Sequence, residues 1–287
     1  MFKFFLFKAC YYFANVLPLK VSYAIANVIS DFLYLSCFRD RQSVINNLKI
    51  ILAPNQDWPK LTREVFHNFG IYLLEFFRMK KTLTDDYLKN NIRIENIEFL
   101  QETYKYGKGT IVLTAHMGNW ELGGSVVTKL GFPLMIIALP HAYKPINDFF
   151  NQQREAFGSK IVPTNIMVRR CIEHLQDNQF VAIASDRGFG SSGQMVDFMG
   201  HKAILPKGAA SFSEKTGAPI VPIFLVRDGC NRFILKIKKP IYPPQGNTSL
   251  TKDEIILKIM NQYVPALEEI IRQYPTQWTV FREFAVK

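Results

Sequence analysis

The sequence predicts an α/β protein with a mainly parallel central sheet flanked by helices. From about residue 109 onward, short apolar runs rich in β-branched residues alternate with helical segments, as in successive βαβ units. The first of these runs, Thr110–Thr114, is almost continuously apolar, which is typical of a strand buried on both faces of a parallel sheet. Helical patterns fill most of the chain before it, so the sheet is expected to follow a helical N-terminal segment.

The remaining elements follow in an order that keeps this alternation, and no repeat, low-complexity tract or linker interrupts it. We therefore expect one folded domain with a helical cap, divided into residues 1–40 and 41–287. Two short helices, at about 85–91 and 95–105, lead into the first strand, and a glycine-rich loop follows the strand at 180–185. The predicted strands are 110–114, 133–139, 160–162, 180–185, 220–226 and 233–238; the predicted helices are 125–130, 147–157, 168–176, 208–215 and 252–272.

Residues 1–40 hold two apolar runs: the first, 2–17, is interrupted by Lys3 and Lys8, and the second, 21–38, carries Asn27 and Asp31. The first apolar run is shorter than the roughly 20 residues that cross a bilayer, and it lacks the cleavage site of a signal peptide. We expect two helices, of which the first lies in the membrane interface and the second packs on the domain. Aromatic residues flanked by lysines favour this placement, and two core helices of a soluble protein are the alternative.

The composition limits the classes of partner. The chain has 287 residues, 48% of them hydrophobic, and a formal net charge of +11, so a basic surface could meet nucleic acid, anionic lipid or an acidic protein. The basic residues are scattered and match no nucleic-acid module, which favours a membrane surface or an acidic carrier protein over nucleic acid. The four cysteines form no Cys-x-x-Cys pair, so neither a zinc site nor a disulfide framework is indicated.

The chemistry is predicted to centre on His116, which follows the first buried strand, and on Glu121, five residues later. Ligands of open α/β sheets bind beyond the carboxyl ends of the strands. There His116 can act as a general base on a hydroxyl, while Glu121 would fix its tautomer and stabilise the imidazolium. A hydrogen-bonded core histidine beside a helix N-terminus is the alternative.

Three motifs in order resemble one protein family. They are TAHMGNWELGG at 114–124, DFMGHKAILPKGAASFSEKTGAPIVPI at 197–223 and YPTQWTVF at 274–281. Together they are similar to the bacterial lipid A late acyltransferases, which belong to the lysophospholipid acyltransferase superfamily with its His-x-x-x-x-Asp/Glu motif. The resemblance implies a glycerolipid acyltransferase-like fold for 41–287, an acyl carrier protein or coenzyme A thioester as donor, a membrane glycolipid as acceptor, and a place on the cytoplasmic face of the inner membrane. It implies neither a cofactor nor a metal ion.

Five further residues are candidates for substrate binding. The resemblance places Arg154 near the site, where an arginine would hold a phosphate or an oxyanion, and Lys207 in the second motif, where it would meet a phosphate. Asn119 is a candidate for orienting a hydroxyl. Asp186 and Arg187 end the strand at 180–185 and should face the same crevice as His116. For Arg154 and Lys207 a solvated surface charge is the alternative.

The acceptor and the class of activity stay open. The Asp186-Arg187 pair resembles the mycobacterial relatives that acylate phosphatidylinositol mannosides more than it resembles the lipid A enzymes, so that acceptor or a lysophospholipid is an alternative. A catalytically silent membrane-binding protein is a further one. GFGSSG at 188–193 has the spacing of a dinucleotide-binding loop but opens no helix, so we expect a flexible loop beside the site. No serine-nucleophile, P-loop or zinc-protease motif occurs.

Overall fold

The fold is described by a computed structural model that covers residues 2–162, 166–187, 193–246 and 249–284, with side chains from Phe7 onward. It confirms the predicted α/β class. The strands are β1 (Ile92–Glu95), β2 (Thr110–Thr114), β3 (Leu134–Ile137), β4 (Lys160–Val162), β5 (Phe180–Ala184), β6 (Gly193–Phe198), β7 (His201–Pro206), β8 (Ile220–Arg227) and β9 (Phe233–Ile237). The helices are α1 (Phe2–Val16), α2 (Leu19–Ser36), α3 (Phe38–Ile51), α4 (Trp58–Thr82), α5 (Asp85–Asn91), α6 (Glu98–Tyr106), α7 (Trp120–Lys129), α8 (Lys144–Glu155), α9 (Met167–Gln176), α10 (Gly208–Thr216) and α11 (Lys252–Gln273), with a 3₁₀ turn at Pro275–Gln277.

The central sheet has seven strands in the order β1-β9-β8-β2-β5-β3-β4. Every neighbouring pair is parallel except β8 and β9, which are antiparallel. β2 lies in the middle, with β5 on one side and β8 on the other. Because all three run the same way, their carboxyl ends meet at one edge, and the residues that follow them are brought together there.

The two faces of the sheet carry separate apolar cores. Ile111 and Leu113 of β2 contribute to the core under α9, α10 and α11, whereas Val112 between them contributes to the core under α4 to α8. All three side chains are buried, as the continuous apolar run predicted, since a parallel strand covered on both faces must be apolar on both.

The N-terminal segment is helical, and α4 anchors it to the domain. Asp57 caps α4 by accepting a hydrogen bond from the Lys60 amide at 3.0 Å, with a proline in the first turn. α2 packs along α4. Within the described residues, no helix is by itself both long and apolar enough to cross a bilayer; only α2 and α3 taken together reach that length and composition, and they meet at a bend of 94°.

The structure differs from the expected elements in a few places. The four-residue strand β1 was not predicted, because its β-branched positions are too few to stand out between two helices. The segment after the glycine-rich loop, for which no strand was predicted above, forms the β6–β7 hairpin. That loop lies, apart from Gly193, outside the described residues. The boundary predicted at residue 40 falls inside α3, and the division into two parts stays a prediction.

Candidate active site

His116 lies in a tight turn between β2 and α7. Gly118 in this turn has a φ of +57°, and a Cβ built there would lie 2.0 Å from the Leu225 carbonyl oxygen of β8, so only glycine fits. The next amide, that of Asn119, donates to the same Leu225 carbonyl at 2.9 Å. The turn is thereby fixed against the end of β8, and the histidine backbone has little freedom.

The segment that follows the 3₁₀ turn holds the histidine from the other side. The Thr279 amide donates to the His116 carbonyl at 3.0 Å, and the Gly118 amide donates to the Gln277 carbonyl at 2.9 Å. Met117 and Trp278 form an isolated antiparallel bridge between the two segments. The C-terminal YPTQWTVF motif is therefore a backbone partner of the histidine turn.

Asp186 is the acidic partner of His116. Its Oδ1 lies 2.8 Å from Nδ1 of His116, and its Oδ2 accepts hydrogen bonds from the His116 amide at 3.1 Å and from Nε1 of Trp278 at 2.9 Å. Sheet register brings the pair together: Thr114 of β2 is opposite Ala184 of β5, and each functional residue follows two positions later. The prediction that Asp186 faces the same crevice as His116 agrees with this geometry.

The environment of Asp186 keeps it ionised. Burial acts to raise the pKa of Asp186, but the charge of His116, its hydrogen bond, the Arg187 charge and the Trp278 indole N–H lower that pKa to about 2. A carboxylate at this place makes Nδ1 of His116 the protonated nitrogen and leaves Nε2 as the basic one. The imidazole is partly open to solvent, with 21% of the side chain exposed.

Aromatic side chains form one wall beside the imidazole. The Trp120 ring meets the His116 ring edge-on at a centroid distance of 5.3 Å. On its other side Trp120 stacks on Tyr72 of α4 at 4.1 Å. Trp120 is only partly buried, whereas Tyr72 is buried. The wall therefore links the histidine to α4 and so to the N-terminal helices.

Glu121 does not occupy the position that was expected of it. Both of its carboxylate oxygens accept from Arg154 of α8, with Nε and Nη2 at 2.7 and 2.5 Å, and both residues are buried. The expected contact of Glu121 with the imidazole is thus corrected: Asp186 holds Nδ1 of His116, because Glu121, on the first turn of α7, faces α8 instead. Arg154 donates to Glu121 through both Nε and Nη2, so these two donors are not free to bind a substrate phosphate.

Asn119 caps α7 and does not face the crevice. Its Oδ1 accepts from the Leu122 amide at 3.0 Å, its Nδ2 donates to Glu75 of α4 at 2.9 Å, and its side chain is fully buried. The expectation that Asn119 orients a substrate hydroxyl is therefore not supported by this geometry, since both polar ends of the side chain are engaged within the protein.

Glu75 is the centre of a polar network that the sequence reasoning missed. It accepts from Nε and Nη2 of Arg227 at 3.1 and 2.7 Å, from Asn119, and from the Tyr23 hydroxyl of α2 at 3.0 Å. Arg227 ends β8, and its backbone N–H and C=O pair with the Gln277 side chain at 2.8 and 2.9 Å. A signal existed: Glu75 is a charged residue among apolar positions of α4, and such residues are buried only when paired.

Arg187 lies between Asp186 and the C-terminal segment. Arg187 follows Asp186 and donates through Nη2 to the Thr279 carbonyl at 3.3 Å, while its buried Nε has no hydrogen-bond partner within the described ranges. Burial lowers the pKa of Arg187, opposed by the charge of Asp186. An unpaired donor beside the His116–Asp186 pair is suited to an anionic group.

Lys207 lies away from this cluster. Its ammonium is 3.7 Å from Asp253 in the first turn of α11, whereas Trp278, which contacts Asp186, comes after the other end of that helix. A 22-residue helix is ~33 Å long. The structure thus does not bring Lys207 together with His116, and its predicted contact with a substrate phosphate is not supported.

Across the part of the chain that is described, no three His, Cys, Asp or Glu side chains are grouped so as to hold a metal ion.

Comparison with known proteins agrees with the motifs. A model of the bacterial lipid A biosynthesis acyltransferase family matches residues 1–284. The chain belongs to this family. The resemblance predicted from the three motifs is thereby confirmed, and the paired His116 and Asp186 are the residues that this family member places at the carboxyl edge of its sheet.

Individual relatives of the family are distant. The phosphatidylinositol mannoside acyltransferase of Mycolicibacterium smegmatis is 25% identical over 183 residues, 62% of this chain and 60% of that protein. That of Mycobacterium tuberculosis is 25% identical over 161 residues, 54% of this chain and 51% of that protein. The lipid A biosynthesis acyltransferase of Haemophilus influenzae is 22% identical over 140 residues, 48% of this chain and 44% of that protein. The chain thus spans roughly half of the length of the curated relatives that it matches.

Proposed function

We propose that this family member is a membrane-associated O-acyltransferase. It moves a fatty acyl group from an acyl carrier protein or coenzyme A thioester to a hydroxyl of a membrane glycolipid of the lipid A precursor type. The observation that carries the proposal is the 2.8 Å contact between Nδ1 of His116 and the buried Asp186 carboxylate, at the edge of the sheet where α/β proteins bind ligands. Family membership supplies the reaction class.

The mechanism follows from the tautomer. Nε2 of His116 takes the proton of the acceptor hydroxyl as its oxygen attacks the thioester carbonyl carbon. The imidazolium that forms is stabilised by Asp186, which stays ionised. The tetrahedral intermediate then collapses, the carbon–sulfur bond breaks, and the thiolate leaves and takes the proton from His116. No covalent enzyme intermediate is needed, because the thioester is already an activated donor.

Arg187 is the candidate for stabilising the oxyanion. Its buried Nε lacks a partner among the described residues, and it adjoins Asp186 in sequence. A preorganised donor in a site of low water content stabilises developing negative charge more than it would in water. Arg154, by contrast, acts in this proposal through Glu121 as a positioning residue that ties α8 to the first turn of α7.

Membrane association is supported by the N-terminal helices. α1, α2 and the start of α3 expose large apolar side chains, and residues 1–41 carry five Lys or Arg against two Asp. An apolar face with basic residues around it is the composition of a helix that lies in a membrane interface. We propose that this surface rests on the cytoplasmic face of the inner membrane. The most exposed members are Tyr12, Val28, Phe32, Leu35 and Phe38.

A second acceptor has an observation in its favour. Two of the curated relatives are phosphatidylinositol mannoside acyltransferases, in keeping with the resemblance of the Asp186-Arg187 pair to such enzymes that the sequence suggested. A phosphatidylinositol mannoside or a lysophospholipid is therefore the alternative acceptor. A membrane-binding protein without catalysis is the further alternative, against which the geometry of His116 and Asp186 argues, since a buried ionised carboxylate costs stability and orients a base.

The test is an acyl-transfer assay in vesicles with a labelled acyl carrier protein thioester and, in parallel, a coenzyme A thioester. The acceptors offered are a lipid A precursor, a phosphatidylinositol mannoside and a lysophospholipid. We expect product on one acceptor from the unchanged chain and from His201→Ala, whose histidine is exposed on the hairpin, and a loss of roughly 10²- to 10⁴-fold in His116→Ala. Equal product from His116→Ala, or none on any acceptor, would contradict the proposal.

A further inference from the structure

A long apolar groove lies between α1, α2 and α4, outside the histidine site. Its volume is about 850 Å³, within the range of pockets that enclose drug-sized or lipid ligands. Its floor is one stripe of α4 at helical spacing, including Phe69, Gly70, Leu73 and Phe77. Its walls are matching stripes of α1 and α2, which include Phe13 and Ile29. Three helices thus turn apolar stripes toward a space that no described side chain fills.

The floor and the rim of this groove differ in exposure. Phe77 of the floor is 7% exposed, whereas Phe13 and Ile29 at the rim are 55% and 48% exposed. The groove is therefore a cleft that opens on the same apolar surface as the residues proposed to rest on the membrane. Among its described lining residues Asp40 is the one ionisable carboxylate or amine, and it is exposed at the start of α3. Such a lining suits hydrocarbon and excludes polar ligands.

A chain of aromatic ring contacts connects the floor of the groove to the candidate base. Phe69 of the floor packs against Tyr72 with ring centroids 5.8 Å apart, and Tyr72 stacks on Trp120 at 4.1 Å. Trp120 in turn meets His116 at 5.3 Å. A single chain of ring contacts thus joins the groove to the imidazole, along the aromatic wall described above.

We propose that the groove holds one hydrocarbon chain of a lipid that resides in the bilayer, and that it thereby places the acyl acceptor beside His116. This inference rests on the proposed function. A bilayer lipid is favoured over the donor thioester because the rim is continuous with the exposed apolar face: a chain can slide in from the membrane without crossing water, whereas a donor arrives from solution.

Photo-crosslinking tests this placement without requiring transfer. The full chain and its His116→Ala variant are mixed with phosphatidylglycerol-containing vesicles that carry a phospholipid with a diazirine near the end of one acyl chain. After irradiation, adducts are located by peptide mass spectrometry. We expect adducts on the α4 floor, at Gly70 to Phe77, equally in both proteins; labelling confined to outward residues of α2 such as Phe32 would overturn the proposal.

Two variants of α2 supply the matched comparison. Ile29→Trp fills the groove, whereas Val28→Trp places the same indole side chain on the outer face, where Val28 is 68% exposed and does not line the groove. The quantity compared is the ratio of α4 adducts to α2 adducts. We expect this ratio to fall at least fivefold in Ile29→Trp, with Ile29→Phe intermediate, and to stay that of the unchanged chain in Val28→Trp. Thermal unfolding and vesicle sedimentation show that each variant is folded and bound.

A second arm of the experiment shows whether the bound hydrocarbon chain comes from a bilayer lipid or from the acyl donor. A coenzyme A thioester of the same diazirine fatty acid is offered without vesicles. Weak labelling of the α4 floor in this arm, together with strong labelling from vesicles, supports a bilayer lipid. Floor labelling as strong as that from vesicles would overturn the proposal in favour of the donor chain. Because binding alone is read, an inactive protein in the transfer assay would leave this result unaffected.

Discussion

The carboxyl edge of the sheet and the exposed apolar surface of α1, α2 and the start of α3 (the N-terminal face) depart in opposite ways from the usual distribution of polar and apolar side chains. At the edge, ionisable side chains such as Asp186 and Glu75 are buried, and each is satisfied by several donors. On the N-terminal face, large apolar side chains such as Phe32 and Leu35 are 69% and 71% exposed, and no described residue covers them. Buried charge and exposed hydrocarbon both cost free energy in an isolated soluble domain. The first is suited to reaction chemistry and the second to contact with lipid.

The largest expected effect separates the two carboxylates at the edge. Asp186→Asn should lower kcat of acyl transfer by about 10³-fold, or about 4 kcal/mol, because an amide cannot stabilise the imidazolium and allows the wrong tautomer. The measurement is steady-state kinetics on the acceptor found in the vesicle assay. Substrate KM should change little, since Asp186 is fully buried.

Glu121→Gln is the matched variant for that measurement. Its carboxylate pairs with Arg154 and not with His116, so its main effect should be on folding: removing one partner of a buried ion pair costs about 3–5 kcal/mol of stability. We expect a lower unfolding midpoint with less than about 30-fold loss of kcat for the folded fraction. A larger loss of kcat in Glu121→Gln than in Asp186→Asn would remove the distinction.

The next effect concerns the network that fixes the end of β8. Arg227→Met leaves the buried Glu75 carboxylate without its cation and should lower the free energy of unfolding by about 3 kcal/mol. Chemical denaturation measures it. Arg169→Met is the control, because Arg169 forms a comparable pair with Glu173 on the exposed surface of α9; it should leave stability unchanged.

Substitutions on the N-terminal face should change binding to membranes and not the stability of the fold. Replacing Phe32 and Leu35 together by glutamate removes two exposed apolar side chains from the proposed membrane face and adds like charge toward anionic lipid. Partition onto phosphatidylglycerol-containing vesicles should fall roughly 10–100-fold, while the unfolding midpoint stays within error. Leu250→Glu, at an exposed leucine before α11, is the control. Equal partition of all three proteins would show that this face does not meet lipid.

The smallest effect concerns His174 of α9, a buried histidine just before β5. Burial, with the Lys160 charge, lowers the pKa of His174 to about 4, and its Nε2 has no hydrogen bond within the described residues. The unfolded chain binds the proton more readily, so stability should be lost as pH falls from about 6.5 to about 4, by on the order of 2 kcal/mol. His174→Phe should flatten this part of the pH–stability curve; an unchanged slope would contradict the assignment.

Local pattern predicted the fold because the sheet is built from elements with clear periodicity. The apolar run Thr110–Thr114 and the helical spacing in α4 each show their structure within a few residues of sequence. The strand β1 does not, since four residues between two helices give too little pattern. The N-cap at Asp57 was predictable for the same local reason, because Asp57 and Pro59 are only two positions apart in the sequence.

The partners within the site were less predictable because they are distant in sequence. Glu121 was expected beside His116 on the strength of a five-residue spacing, whereas the observed partner, Asp186, is brought there by the register of β2 and β5. His116 and Asp186 each follow a strand of the mainly parallel sheet by two positions, so their proximity was predictable from the fold, but the pairing of their atoms was not. The Glu75–Arg227 pair and the groove depend on how α4 packs against the rest of the protein. The spacing of residues in the sequence does not reveal this packing.

The most direct test of the account is the tautomer of His116, measured by ¹⁵N NMR on histidine-labelled protein, with the His116 resonances assigned by their absence in His116→Ala. The account predicts a proton on Nδ1 and a basic Nε2, a tautomer that is retained in Glu121→Gln and lost in Asp186→Asn. A protonated Nε2 in the unchanged chain, or a tautomer that responds to Glu121→Gln and not to Asp186→Asn, would contradict it.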